Sequence, residues 1–291
     1  MSRKVAVIGA GGRMGSWFVN YFASKNMSIN AYDRNRASLS FSSSAIRIAD
    51  NLAMCVEDAD FVLVCVPVRL TPRLVKECAS SMKSGAALGE ISSVKQKTFS
   101  ALAALRNDLV ALCIHPMFGP GATDKNELRI LLVPVKNEKT ELRKAQDLLP
   151  GTRLLVIPSP QEHDDAIGIV LGLTYFSNLA FADFLSSKRN TLRKEISGTT
   201  FALQSILAES IMTDDPELIS VLIKDNPYAR KHIREFLRKA LAIERVLTSP
   251  ASKLETRIGK LKSKMQIQGN LQDSYNLLYS AMRAMDSQKE K

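Results

Sequence analysis

The sequence predicts an α/β protein in which an N-terminal doubly wound parallel sheet is followed by an all-helical C-terminal domain. Three observations carry this reading. Short apolar segments alternate with amphipathic helical ones over the first 160 residues, a glycine-rich turn joins the first strand to the first helix, and strand signals fade after residue 160. Strands that are apolar on both faces and separated by helices form parallel sheets covered on both sides.

In chain order the predicted strands are KVAVIGA (4–10), SINAYD (28–33), DFVLVCVPV (60–68), AALGEISSV (86–94) and LVALCIHP (109–116). Between the later ones lies TPRLVKECASSM, where Thr71 can cap a helix and Pro72 occupies its first position. A further pair, RILLVPVK (129–136) and TRLLVIPS (152–159), flanks a helix at EKTELRKAQDLL. The C-terminal part includes AIGIVLGLTYFSNLAFADFLSS, PELISVLIKD and ARKHIREFLRKALAIERVL, with one or two more helices in the tail. The first of these is apolar on nearly all sides, which predicts burial between helices or across a subunit interface. Two domains are expected, 1–160 and 161–291, with a homodimer formed through the second and the active site in the cleft between them.

Composition narrows the function classes. The chain has 291 residues, 45% hydrophobic, enough for two cores. Its net charge of +11 is spread: residues 1–160 carry 21 Lys and Arg against 13 Asp and Glu, and the remainder 19 against 16. No dense basic block is interleaved with aromatics, so no nucleic-acid partner is expected, and the excess suits a small anionic substrate or cofactor. The N-terminus lacks a signal-peptide apolar region and no run is read as long enough to span a bilayer, so a cytoplasmic protein with no membrane partner is expected. Cys55, Cys65, Cys78 and Cys113 form no CxxC pair and read as reduced packing residues, with no metal site.

The turn VAVIGAGGRMGSWF places Gly9, Gly12 and Gly15 in a GxxGxxG spacing, with Gly11 extra and Arg13 and Met14 inside the loop. Small residues there keep the turn tight, admit a pyrophosphate to the backbone amides and let helix and strand pack closely, as in Rossmann-type domains. Asp33 ends the second predicted strand 18 residues after Gly15, where a carboxylate would accept a ribose hydroxyl. That favours NAD; Arg34 and Arg36 could pair with a 2′-phosphate and keep NADP as the alternative. Val66 and Pro67 in VCVPV lie at the same carboxyl edge and would line the groove.

Ligands in this architecture collect at the carboxyl ends of the strands. Two such ends carry chemistry: EISSVK (90–95), and IHPMFGP beginning at Ile114, which holds His115, one of three histidines. The glycine loop, the S-V-K strand end and the H-P-M-F-G-P hexapeptide together resemble the prephenate dehydrogenase family, which includes arogenate dehydrogenases. The resemblance covers residues 4–120 and continues through EHDDAIG. It implies NAD-dependent oxidative decarboxylation of prephenate in tyrosine biosynthesis, with hydride leaving the carbon that bears the ring hydroxyl. It further implies that His115 assists deprotonation of that hydroxyl and that Ser93 orients histidine, substrate and nicotinamide. A neutral imidazole suits proton acceptance near pH 7. Lys95 reads equally as a site residue or a solvated surface lysine.

Three positions depart from the family pattern. Gly121 stands where many members have an acid, Tyr175 where a second histidine is common, and Ser210 where an arginine grips a substrate carboxylate. Arg193, Arg230 and Arg234 are the candidate replacement cations, and Tyr175 is kept as a candidate substrate contact. His163 reads as a helix N-terminal or hinge residue, and His232 as a surface residue of an amphipathic helix. The rival readings are a related two-domain dehydrogenase or reductase of another small carboxylate or imine, and a catalytically silent NAD-binding regulatory protein.

Overall fold

The computed structural model describes residues 3–123, 126–187 and 196–289. The chain divides into two units, one formed by Met1–Gly168 with Ser220–Tyr228 and the other by Ile169–Ile219 with Ala229–Lys291. The division thus falls at Gly168 rather than at residue 160, and a short segment of the C-terminal half returns to the first unit.

The first unit is built on one sheet of eight strands in the order β3-β2-β1-β4-β5-β6-β7-β8. These are β1 (Lys4–Ile8), β2 (Ser28–Tyr32), β3 (Ile46–Ile48), β4 (Phe61–Val64), β5 (Ala87–Glu90), β6 (Val110–Pro116), β7 (Arg129–Val133) and β8 (Arg153–Val156). The order reverses at β1 and β4, which sets the ligand-binding edge beside β1. The first six strands are parallel, but β7 runs antiparallel to β6 and β8 parallel to β7. The reversal corrects the all-parallel expectation and has a local cause. No helix lies between β6 and β7 among the described residues, so the chain turns back without a crossover.

Alternation along the strands fills two cores. On one face Val5, Val7, Leu112 and Ile114 pack with Phe18 and Phe22 of helix α1 (Arg13–Ser24). On the other, Ala6, Ile8, Ala111 and Cys113 pack with Val75 and Cys78 of α3 (Thr71–Ser81) and Leu102 of α4 (Gln96–Ala103). Helix α2 (Leu52–Val56) contributes Cys55 and Val56 to the second layer. Burial pushes the Cys55 and Cys78 thiols up to about 12, as inert packing residues require. Thr71 does not cap α3. It is the helix's first residue, fully buried, and its hydroxyl accepts from Ser92 Oγ at 3.1 Å. Helix α5 (Glu138–Leu148), capped by Asn137, makes the β7–β8 crossover.

Helix α6 (Pro160–Ile167) starts at an N-cap Ser159 with Pro160 at its first position. It passes through a π-helical stretch, Gly168–Leu173, into α7 (Thr174–Ser186) of the second unit. Pro160–Ser186 is long and apolar enough to cross a membrane by length and composition alone, contrary to the expectation that no run would be. Its first two turns are fixed in the core of the first unit by His163, Asp164 and Ile167, all buried. The second unit continues with α8 (Thr199–Ile211) and, after the returning segment, α10 (Ala229–Glu244), α11 (Ala251–Gln268) and α12 (Leu271–Lys289); α9 (Pro216–Ser220) leads into a π-helical stretch, Val221–Asp225. Helix α8 packs on α7 through the Phe181–Phe201 ring contact, with Gln204 donating to Asn178.

Candidate active site

The glycine turn is pinned to the sheet by its own backbone. Gly9 and Ala10 donate to the Tyr32 carbonyl at 2.9 and 3.1 Å, and Gly12 to that of Gly9 at 3.1 Å. Gly9 has φ +83°, and a Cβ there would meet the Cys65 carbonyl oxygen at 2.3 Å. A Cβ on Gly15 would lie 1.9 Å from the Gly9 carbonyl oxygen, so both positions require glycine. Helix α1 begins at Arg13 with Gly12 as a cap that supplies no side-chain acceptor. The first turn of such a helix presents amide donors and a positive dipole end to an anion. Met14 is half-buried and Arg13 exposed beside it.

Asp33 directly follows the last residue of β2 and is half-buried, accepting the Gly11 amide at 3.1 Å on one carboxylate oxygen and the Asn35 amide at 2.9 Å on the other. The acid is thereby held against the loop. Arg34 is exposed immediately after it, and Arg36 is exposed and paired with Asp50. Val66, half-buried, and Pro67, exposed, follow the carboxyl end of β4. The strand, the glycine cradle, the uncapped helix start and the carboxylate at the neighbouring strand end fit a dinucleotide.

His115 sits near the carboxyl end of β6, 3% exposed. Its Nδ1 lies 3.0 Å from Nε2 of His163, whose Nδ1 lies 2.9 Å from Oδ1 of Asp164. His163 lies near the start of α6, as its sequence position suggests. It is fully buried and forms the middle of a His115–His163–Asp164 chain. The Asp164 carboxylate also accepts the Lys95 amide at 2.8 Å and the Gln96 amide at 3.1 Å, closing the start of α4.

Chemistry dictates the hydrogens. An ionised carboxylate only accepts, so His163 Nδ1 carries a proton and its neutral ring accepts at Nε2. His115 must then donate from Nδ1, which leaves its Nε2 lone pair with no hydrogen-bond partner among the described residues. Burial holds the His115 imidazole well below its ordinary value, helped by His163 and the Lys95 ammonium. Burial likewise lowers His163, against the opposing bond to Asp164. Both rings are neutral at pH 7, and His115 Nε2 is a positioned base.

Ser93 is half-buried just past the end of β5, the strand adjacent to β6, and makes no side-chain hydrogen bond among the described residues. Lys95 requires a correction. It is neither a solvated surface lysine nor a direct substrate contact, because its side chain is 0% exposed and its ammonium is bound inward to Glu90 at 2.6 Å and the Ile114 carbonyl at 2.5 Å. An ammonium taken out of water must be paired, and here the partner is Glu90.

The remaining candidates belong to the second unit. The Tyr175 hydroxyl donates to Asp214 at 2.7 Å. Arg230 and Arg234 are exposed on α10, and His232 is half-buried on it. Ser210 is exposed on α8, its hydroxyl turned back to the Leu207 carbonyl. Arg193 lies outside the described residues. In the first unit Gly121 is exposed in open space.

Sequence reasoning passed over Glu90, Asp164 and Asn226. Glu90 had a signal, being an acid closing an apolar strand five residues before a lysine. Asp164 belonged to the noted EHDD segment. Asn226, fully buried, donates to the Asp164 carbonyl at 2.8 Å across 62 residues, and no local pattern marks it.

Both the sequence and the fold match known proteins. The family model described as "Prephenate dehydrogenase, nucleotide-binding domain" matches residues 23–153, and "Prephenate dehydrogenase, dimerization domain" matches 159–263. The first match begins after the glycine loop, whose reading rests on its own geometry. A probable arogenate/prephenate dehydrogenase of Methanocaldococcus jannaschii is 25% identical over 252 residues, covering 84% of this chain and 56% of that protein. The chain spans about half the length of the curated relatives it matches. Two solved structures share the fold. Prephenate dehydrogenase of Aquifex aeolicus in complex with hydroxyphenyl propionate and NAD+ has TM-score 0.71 at 20% identity, covering 92% of this chain and 99% of that one. Synechocystis arogenate dehydrogenase has TM-score 0.66 at 14% identity, covering 91% and 100%.

Proposed function

The chain belongs to the prephenate dehydrogenase family, and from that premise we propose that it catalyses NAD-dependent oxidative decarboxylation of prephenate, with arogenate as the alternative substrate. The single observation that carries the proposal is the His115–His163–Asp164 chain, which leaves one unprotonated imidazole nitrogen at the carboxyl edge of a nucleotide-binding sheet.

The Gly9–Gly15 turn and the start of α1 would hold the pyrophosphate of NAD, and Asp33 its adenosine ribose. When bound, the nicotinamide would supply the hydride acceptor. His115 Nε2 takes the proton of the hydroxyl whose carbon loses hydride. Asp164 keeps His163 oriented as acceptor, so the proton position on His115 is set before the substrate arrives. Ser93, with its hydroxyl uncommitted among the described residues, orients the reacting groups from the next strand end. Asp33 favours NAD by repelling a 2′-phosphate, with Arg34 as the feature that would admit NADP.

We further propose a cytoplasmic homodimer formed through the helical unit. Phe184, Leu207, Leu241 and Leu261 are among its large exposed apolar residues, and the matching family model is a dimerization domain. Sedimentation at micromolar concentration should show the dimer, and a monomer would remove this part of the proposal.

The activity is tested by incubating purified protein with prephenate or arogenate and NAD or NADP, followed at the reduced-nicotinamide absorbance. Turnover identifies substrate and cofactor together. Cofactor binding without turnover of either substrate rejects the proposal in favour of another small carboxylate or a regulatory NAD-binding role.

A further inference from the structure

Beneath the histidine chain lies a charge pair that the proposed chemistry does not use. Glu90 closes β5 and Lys95 stands immediately before α4, and both side chains are fully buried. The Lys95 ammonium donates to Glu90 Oε1 at 2.6 Å and to the carbonyl oxygen of Ile114, the residue preceding His115, at 2.5 Å. Its backbone amide donates to Asp164 Oδ1 at 2.8 Å. One residue thus ties the strand that carries His115 to the acid at the far end of the chain. Glu90 is saturated as well, accepting the Ser92 amide at 2.8 Å, the Thr98 hydroxyl at 3.3 Å and the Cys113 thiol at 3.4 Å.

Stability does not account for such a pair. Replacing a buried ion pair by neutral groups of similar volume is often neutral or stabilising, whereas removing one partner is strongly destabilising. At this position the pair also creates a local field, which acts on the histidine chain beside it. His115 meets His163 of α6 directly; behind that contact stand Asp164 of the same helix, bound to His163 and to the Lys95 amide, then the Lys95–Glu90 pair, with Cys113 of β6 donating to Glu90. The returning segment contributes the neutral Asn226.

We propose that Lys95 and Glu90 are a positioning pair for His115: Glu90 holds and aims the Lys95 ammonium, which grips the carbonyl next to His115 and sets a positive charge behind the histidine chain. The catalytic meaning of this device rests on the dehydrogenase reading, but its existence does not. The Lys95 ammonium lowers the proton affinity of both histidines, with burial as the larger cause for each. Cys113, pushed well up by burial, stays a neutral thiol and adds no charge.

The test uses histidine-selective isotope labelling and NMR titration of the full chain, which has three histidines. His232, on the second unit, serves as the internal reference. In the unaltered protein His115 is expected to stay neutral down to the acid limit of the fold. In Lys95→Met/Glu90→Gln, which removes both charges, His115 should begin to titrate within the pH range in which the fold is intact, and His232 should not move. A His115 that still fails to titrate in the folded double variant overturns the proposal. The titration needs no turnover, so its failure is separate from failure of the dehydrogenase reading. Where turnover is found, the acid limb of kcat/KM should move up with the NMR midpoint in the double variant, while the Kd for NAD stays unchanged.

Discussion

Asn226 donates its side-chain amide to the backbone carbonyl of Asp164 at 2.8 Å, and its own side-chain oxygen accepts the Tyr228 amide at 2.9 Å. A segment from the C-terminal half therefore braces the helix that carries His163 and Asp164. Asn226→Ala should lower kcat by about tenfold with little change in NAD affinity, since loss of a buried hydrogen bond is worth about 1–3 kcal/mol. Steady-state kinetics with separate cofactor titration would show it; equal loss of kcat and NAD binding would instead mark a general structural role.

His115→Asn removes the proton acceptor while leaving an amide that can still donate towards His163. We expect kcat to fall by about 10²–10⁴, the usual worth of a positioned general base, with NAD affinity retained. Loss of cofactor affinity in parallel with kcat would identify His115 as a structural histidine.

The two buried histidines set an acid limit on stability. Each has a folded-state proton affinity below its unfolded one, so below about pH 6.5 the unfolded chain takes up protons that the native state refuses. Stability should be full above that pH and fall as pH drops towards the folded values, by up to about 1.4 kcal/mol per pH unit for each ring. Denaturant midpoints measured at pH 7.5 and 5.5 would reveal the slope, and His115→Asn should roughly halve it.

Gly15→Ala places a methyl group where the Gly9 carbonyl oxygen lies, 1.9 Å from the new Cβ. The turn must open, so NAD affinity should fall at least about tenfold and unfolding stability by about 1–3 kcal/mol. Isothermal calorimetry and thermal melting would measure the two losses, and unaltered NAD binding would show that the loop does not hold the cofactor.

Arg230→Ala and Arg234→Ala test whether either exposed cation of α10 substitutes for the arginine absent at Ser210. The variant lacking the functional cation should show KM for the anionic substrate raised about tenfold or more with kcat retained, as expected for a charge-assisted hydrogen bond. Unchanged kinetics in both would remove them from the site.

Much of the first unit was legible locally. The glycine turn, the strands around it and Asp33 follow from patterns within 30 residues, because backbone conformation and alternation act over that range. The same patterns placed His115 and Ser93 at neighbouring strand ends. They did not reveal that β7 reverses, since strand direction follows from the absence, among the described residues, of a crossover helix in a connection whose composition resembles any loop. Nor did they identify His163 as the partner of His115, because a histidine near a helix start carries the same local signal whether it is solvated or enclosed.

The sequence by itself determined the α/β class, the dinucleotide cradle and the histidine at the sheet edge, all products of short-range sterics and periodicity. Only the tertiary structure decided which charged groups lose their water. Lys95 meets Asp164 across 69 residues and His115 meets His163 across 48, and those encounters turn a lysine of ordinary appearance into a buried ammonium and a helix-start histidine into an acceptor. Proton affinity in a protein is governed by desolvation and by charges a few ångströms away, and such distances are created when the chain closes on itself.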